Sequence, residues 1–444
     1  MGNSAANSVR CHICGSKAVT VFPQYQTFHR VTSDCKAWRP GGKMSVCNEC
    51  GCAQAVLDQT WHEEAKQIYD AYTIYHQSKG IEQNVVDQAS GQATSRSSRL
   101  LQRLQAEIPL PEKGRLMDIG CGNGALLSAF SGLSLGWSLA GVEVNDHYRS
   151  VVESITGVEQ LFTCSPEEVP GRFQLISLMH ALEHIPSPRE FIVRLWDKLE
   201  IGGLLLIQVP DCAQNPFMFL VADHASHFFV STLKELVQSA GYEVLVAAND
   251  WVAKEITVVA QRRGERASPD ENRKDATRRH APHEPPHPNP LSLGGGEGAQ
   301  TAGEGEVQGF NVRIGPGKSL PGDGARASVD PFSMVSERLQ WLSRQLETAR
   351  PLAKEGNFGL FGTSIAATWL FAELNGDVGF FVDEDPHRIG QTCFGRPIYP
   401  PGDAPADSYV FIALPTPLAA AVKHRLERQG LKLRFEIPGP LPSV

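Results

Sequence analysis

An α/β fold is expected from three observations. Residues 61–262 alternate strand-like and helix-like patterns. Three glycines spaced two apart follow one of those strands, at Gly120, Gly122 and Gly124. The strand and helix alternation resumes over 330–444, after a stretch rich in Pro, Gly, Arg and Glu. The chain therefore divides into a cysteine-rich module over 1–60, a parallel sheet over 61–262, a disordered linker over 263–329 and a second, smaller α/β domain over 330–444. A length of 444 residues agrees, since domains average roughly 150 residues.

Composition removes several classes of function. The net charge is −8, so the chain has no fold-wide basic footprint for nucleic acid. No stretch of about 20 apolar residues is present, and no membrane span is expected. Met1–Arg10 has no apolar core, so no secretory leader is expected. Ala6 stands where a myristoylation motif takes Ser or Thr. Ten cysteines in a chain of this size are not a disulfide scaffold; reduced thiols and a cytoplasmic location are expected. Nothing sets an oligomeric state.

Six of those cysteines fall within the first 60 residues. Cys11-His-Ile-Cys14-Gly and Cys47-Asn-Glu-Cys50-Gly are paired CxxC knuckles. Each aims two thiolates at one point, and the glycine behind each permits the tight turn. Four sulfurs complete the tetrahedron that Zn²⁺ accepts and leave no open position, so a structural rather than catalytic zinc is expected. Cys35 and Cys52 are surplus, and His12 is an alternative fourth ligand.

The parallel sheet begins at Arg115–Ile119, followed by the glycine loop and a helix starting at Ala125. Further strands are expected at Ser138–Val144, Leu161–Thr163, Phe173–Met179 and Leu204–Val209, with a closing hairpin of Tyr242–Ala247 and Glu255–Ala260. A helix over Pro188–Leu199 should stop at Gly202-Gly203. Glu143 ends the second strand 19 residues after Gly124, the spacing of a carboxylate that grips a ribose diol. Such a loop alone also admits a dinucleotide. Asp118, two residues before the first glycine, decides between them. A carboxylate there repels a pyrophosphate and suits a ligand carrying an ammonium and a sulfonium, which is S-adenosylmethionine.

The pattern Asp118-Ile-Gly120-Cys-Gly122-Asn-Gly124 resembles the signature of class I methyltransferases, with their Rossmann-like sheet. His180-Ala-Leu-Glu183-His184-Ile-Pro186 is similar to the segment that lies beside the methyl donor in that superfamily, which places His180 against the donor. The order of parts resembles the zinc-containing deoxysugar C-methyltransferases, which act on nucleotide-linked keto-sugars. Matching elements are Tyr69-Asp-Ala-Tyr72-Thr-Ile-Tyr75, Glu183-His184-Ile-Pro, Asp223-His224 and Val382-Asp-Glu-Asp385-Pro-His-Arg-Ile-Gly390. The resemblance implies that a tyrosine before the core and the later acid–histidine pair face a sugar. Two elements depart from it: Val221 replaces a tyrosine, and Trp251-Val-Ala-Lys254-Glu255 replaces a glycine-rich strand, which leaves carbon or oxygen open as the acceptor atom.

Methyl transfer requires alignment and, for most acceptors, removal of a proton. His224 is the first candidate base, with Asp223 or Glu183 orienting a histidine; His184 is the second. Tyr75 is the candidate to hydrogen-bond the acceptor. His180 and His227 read more readily as structural side chains. Gly359-Leu-Phe-Gly362-Thr in the last domain is a degenerate loop, fit either to hold the nucleotide part of a substrate or simply to pack. Two rivals stand beside the nucleotide-sugar reading: an O-methyltransferase of a surface glycan or secondary metabolite, and a zinc-ribbon nucleic-acid-binding protein with a vestigial core. Asp118 and Glu143, both present, speak against the last.

Overall fold

The computed structural model describes residues 9–73, 82, 84–86, 93–264 and 330–442. Near the start, β1 (Val19–Val21), β4 (Met44–Cys47) and β5 (Ala53–Ala55) form an antiparallel sheet. Between the first two lies a small hairpin of β2 (Arg30–Val31) and β3 (Ala37–Trp38). Helix α1 (Gln59–Asp70) follows, capped by Asp58, whose side chain accepts from the amide of Trp61. A short hairpin, β6 (Asn84–Val86) with β7 (Ala93–Ser95), leads into α2 (Arg96–Glu107).

The central sheet has seven strands in the order β10-β9-β8-β11-β12-β15-β14. Its members are β8 (Lys113–Ile119), β9 (Gly136–Val142), β10 (Val158–Phe162), β11 (Phe173–Met179), β12 (Leu199–Pro210), β14 (Glu243–Ala248) and β15 (Glu255–Gln261). The first five run parallel, and β15 returns antiparallel against β12. Strands β8, β11 and β12 are buried at their carboxyl ends, as a sheet covered on both faces requires. Helices α3 (Ala125–Ser131), α4 (Arg149–Val152), α5 (Pro188–Leu195) and α6 (Val230–Ser239) connect or cover them.

One expectation is corrected here. The helix from Pro188 ends at Leu195, a 3₁₀ turn covers Trp196–Lys198, and the strand starts at Leu199 rather than Leu204. Gly202, at φ 83°, is no helix stop. It sits in an irregularity where the partner of Phe173 is Leu199 and that of Leu175 is Leu204. Extra residues on β12 are absorbed there, as in a bulge.

Beyond the undescribed segment, α7 (Pro331–Lys354) is capped by Asp330, whose side chain accepts from the amides of Phe332 and Ser333. It leads into a six-stranded sheet, β18-β19-β17-β16-β20-β21. The strands are β16 (Phe358–Phe361), β17 (Phe380–Val382), β18 (Thr392–Cys393), β19 (Arg396–Tyr399), β20 (Ser408–Ile412) and β21 (Leu433–Glu436), with α8 (Ile365–Glu373) and α9 (Thr416–Glu427) between them. The first of the expected linker residues, 263–264, are described, but the rest of the linker lies outside the described residues, as does Tyr75.

The parts share cores. One buried cluster joins Phe22, Tyr25, Phe28 and Met44 to Phe217, Phe219 and Phe229, and to Trp341, Trp369 and Phe381. Rings of Phe22 and Phe332 stack at 5.1 Å, and Phe28 meets Trp369 edge-on at 6.1 Å. The short strand β13 (Ser226–His227) leaves the central fold to pair with β5, becoming the fourth strand of the N-terminal sheet. Among the described residues, no helix is long and apolar enough to cross a membrane.

Candidate active site

The glycine loop stands where the sequence places it, at the carboxyl end of β8. Gly120, Gly122 and Gly124 have φ of 70°, 56° and 82°, a left-handed run that side-chain-bearing residues resist. A Cβ on Gly120 would lie 2.9 Å from the Cβ of Ala181. Glu143, one residue past β9, accepts from the Gly122 amide through Oε1 at 2.7 Å and from Val144 through Oε2 at 3.0 Å. The acidic partner is therefore aimed across the loop.

Asp118 lies beneath that loop, 1% exposed, and accepts from Ser177 Oγ at 2.7 Å. Burial raises its carboxyl to about 7, with the Ser177 hydroxyl opposing and the Glu143 charge adding to the rise. A cation bound beside it would favour the ionised form. This loop opens into a cavity of about 910 Å³ lined by Asp118, Glu143, His180, His184 and His224, and also by Ser33, Cys35, Ser364 and Arg388 from the two ends of the chain.

The acceptor-side candidates meet in the same cavity. The rings of His184 and His224 are 4.7 Å apart, edge to face. Asp223 faces His184 rather than its chain neighbour: Oδ2 lies 3.3 Å from His184 Nδ1. Burial disfavours the His184 cation, but the Asp223 and Glu183 carboxylates outweigh it and hold the imidazole up to about 9. Burial also works against the Asp223 anion, which His184 and Ser33 outweigh, so its carboxyl stays below the usual range. His224 is pushed well below 6.5 by burial and by the neighbouring His184 charge. The two shifts run in opposite directions, up for His184 beside its carboxylates and down for His224 beside His184.

His180 adopts φ 52°. Its ring lies between Arg96 Nη1 at 2.6 Å, Glu183 Oε1 at 3.5 Å and Glu255 Oε2 at 3.4 Å. The opposite oxygen, Glu183 Oε2, is buried without a partner among the described residues. One ligating atom each from Glu183, His184 and His224 falls within 4.8 Å of the others, which measures how tightly this corner is packed. His227 is buried against Phe219 and pushed down to about 3 by burial, the behaviour of a neutral core histidine. Tyr69 and Tyr72 line the cavity, with the Tyr69 ring 6.1 Å from His184.

Ser33, Ser177, Arg96 and Lys254 were not singled out by sequence reasoning. Lys254 stands at φ 69° at the cavity wall, and burial lowers its ammonium from the ordinary value. A left-handed lysine has no sequence signature, and Ser177 is visible only once the register Ser177↔Asp118 is known.

The four cysteines also converge. Sγ of Cys11 and Cys50 are 3.4 Å apart, those of Cys14 and Cys47 3.6 Å, and all four lie within 4.8 Å. A tetrahedron of Zn–S bonds near 2.3 Å has edges of about 3.8 Å, so the donor set fits zinc. Gly15 and Gly51, at φ 73° and 74°, return their amides to the carbonyls of Cys11 and Cys47. His12 turns instead toward Ser226 Oγ, at 3.3 Å.

Residues 90–247 match a family described as a methyltransferase domain. Among curated proteins, the chain is 30% identical over 127 residues to a trans-aconitate 2-methyltransferase of Variovorax paradoxus, covering 27% of this chain and 47% of that protein. It is 24% identical over 166 residues to a ubiquinone biosynthesis O-methyltransferase of Coxiella burnetii, covering 33% and 70%. The chain thus spans about half the length of the first of these relatives. Among solved structures it is similar to an S-adenosylmethionine-dependent methyltransferase from Mesorhizobium loti, at 14% identity and a TM-score of 0.32, over 37% of this chain and 98% of that one.

Proposed function

We propose that this chain, which carries a methyltransferase domain over residues 90–247, is an S-adenosylmethionine-dependent methyltransferase of small polar acceptors. The observation that carries the reading is the left-handed glycine loop, with the Glu143 carboxylate spanning it and the buried Asp118 beneath. When bound, the donor supplies a methyl group on a sulfonium cation. Asp118 and the loop from Gly120 to Gly124 would hold its charged end, Glu143 would accept from the ribose hydroxyls, and His180 would close the wall.

On the acceptor side, His224 is neutral and takes the proton from the acceptor's C–H or O–H. The electron pair left on the acceptor would form the new bond to the methyl carbon as the carbon–sulfur bond of the sulfonium breaks, its electron pair returning to sulfur to leave a neutral thioether. The His184 imidazolium, oriented by Asp223, donates to the acceptor oxygen as charge gathers there. Tyr75 is kept as a further hydrogen-bond donor to the acceptor.

The finer reading is a nucleotide-linked deoxysugar methylated at carbon. Its support is the cavity's continuation to Ser364 and Arg388, which gives a slot longer than a single sugar ring. In this reading residues 330–444 hold the nucleotide, 61–262 the donor and the sugar, and 1–60 a structural Zn²⁺ on Cys11, Cys14, Cys47 and Cys50. Residues 263–329 serve as a spacer, and the reducing cytoplasm keeps the four thiols free for metal. The test is mass spectrometry of products from a panel of nucleotide-sugars and hydroxylated metabolites with isotope-labelled donor. Label on a sugar carbon supports the finer reading, and label on oxygen moves the acceptor to a hydroxyl. A protein whose melting is unmoved by S-adenosylmethionine refutes the donor site.

A further inference from the structure

We propose that Ser33 is a positioning residue for the acceptor-side imidazoles, and that the turn Thr32–Lys36 around it assembles that half of the cavity from three distant parts of the chain. This rests on the acceptor reading above for its functional consequence, but its geometry stands alone.

The turn joins β2 to β3 and is closed by its own backbone: Thr32 N donates to Lys36 O at 2.9 Å and Cys35 N to Thr32 O at 2.8 Å. Cys35 takes φ 64° to complete it. Three sets of bonds leave it. Toward the loop after β12, Ser33 N donates to Asp223 Oδ1 at 2.9 Å, and Ser33 Oγ to Oδ2 at 2.5 Å. Toward the end of α1, Lys36 Nζ donates to Ala71 O at 2.6 Å, and Thr73 N donates to Asp34 Oδ2 at 3.2 Å. Toward α8, Thr368 Oγ1 donates to Cys35 O at 3.3 Å. The backbone seals the first set: Ala222 N donates to Val31 O at 2.8 Å beside a bridge between Val31 and Val221.

Asp223 is fully buried. A carboxylate gripped at one oxygen still pivots about its Cβ–Cγ bond. Ser33 grips both oxygens from one residue, which fixes the carboxylate plane and leaves the remaining capacity of Oδ2 aimed at His184. The other groups facing His184 are Glu183 on its own turn, His224 on the Asp223 loop, and Tyr69 from α1. None of these holds Asp223 in plane. A serine hydroxyl is the short donor that reaches Oδ2 while its own amide reaches Oδ1.

The test is a proton titration of histidine ring signals in the full-length, zinc-loaded protein, without acceptor. In Ser33→Ala, Asp223 is freed to turn, and His184 should lose proton affinity by tenfold or more. Ser33→Thr, which keeps the hydroxyl, should restore it to within threefold. S-adenosylhomocysteine affinity by calorimetry should stay within twofold in both. With an active acceptor, turnover of Ser33→Ala should fall 10- to 100-fold with the alkaline limb of its pH profile moved toward the ordinary histidine value. If Ser33→Ala fails to fold, Ser33→Gly, which likewise keeps the backbone amide and lacks the hydroxyl, should give the same loss. An unmoved His184 titration in Ser33→Ala or Ser33→Gly, or a Thr variant as damaged as Ala, overturns the proposal. Loss of nucleoside binding in the parent would instead refute the donor reading and leave the titration result standing.

Discussion

The two halves of the cavity are built differently. The half proposed to hold the donor comes, His180 apart, from one stretch of chain, Asp118 to Glu143, on adjacent strands β8 and β9 and the residues that follow each of them. The acceptor half gathers Ser33, Tyr69, His184, His224, Lys254 and Arg388, scattered over most of the sequence. A local site survives as long as two neighbouring strands pair. A gathered site depends on every module that delivers a residue to it. Perturbations distant in space should therefore damage the acceptor half and spare the donor half.

The largest effect should come from the cysteine cluster. Breaking one ligand of a structural zinc site removes a large part of a binding energy that is on the order of 10 kcal/mol. Cys47→Ser should accordingly abolish cooperative unfolding of the shared N- and C-terminal core at room temperature. Calorimetric scans should show it, and any donor binding that remains would mark the central sheet as the surviving unit. A variant that melts like the parent would break the contrast between halves.

Next is the base. His224→Ala should cut turnover by about 10²–10⁴-fold with S-adenosylmethionine affinity within twofold, as measured by steady-state kinetics and calorimetry. A harmless His224→Ala beside a crippled His184→Ala would exchange the two roles. Glu143→Ala acts on the other half: donor binding should weaken by about 1.5–3 kcal/mol, the range for hydrogen bonds to a charged group. Because Glu143 also ties the Gly122 amide, hydrogen exchange at that amide should quicken in the same variant.

Asp118 gives the donor half a pH signature. Its folded value, about 7, is above the usual carboxylate range. The fold therefore binds more protons than the unfolded chain between pH 4 and 7, and this group's contribution to stability falls as pH rises through that window. A cationic ligand selects the ionised form. Donor affinity should thus rise with pH up to about 7 and level off, with proton release on binding at pH 6 seen as buffer-dependent calorimetric heats. His184 works in the opposite sense for catalysis: raised to about 9, it should keep its proton until activity falls along an alkaline limb near that value. The smallest effect should follow excision of residues 265–325, whose composition buries almost nothing; melting and donor affinity should change little.

How much was legible in the sequence follows the same division. The glycine loop, Asp118 and Glu143 were readable because left-handed turns demand glycine and because strand-to-strand spacing fixes the acid. The cysteine knuckles were readable because metal ligands come in short spaced pairs. Strand starts shifted by up to five residues, as at β12, and β18, β19 and β21 gave no clear periodic signal over two to four residues. Asp223 sits next to His224 in sequence yet pairs with His184, a contact set by tertiary folding. Nor does any pattern announce that Ser226 and His227 leave one sheet to complete another. Ser33 is 190 residues from the carboxylate it holds, and serine is too common for its presence to be informative.

The core shared by Phe22, Phe217, Trp341 and Trp369 has a consequence for the chain as a covalent object. Position in the fold of everything from Asp330 onward is set by side chains that interlock with the first fifty residues and with the loop after β12, not by the peptide link back to Gly264. Tyr25 Oη donating to Phe219 O at 2.6 Å and His29 N donating to Glu373 Oε1 at 2.7 Å act as cross-ties over that seam. A gene split between codons 264 and 330 should yield two polypeptides that find each other and reconstitute one cavity. The same interlocking means that the second polypeptide, expressed alone, would expose Trp341 and Trp369 to water and would need its partner to stay in solution.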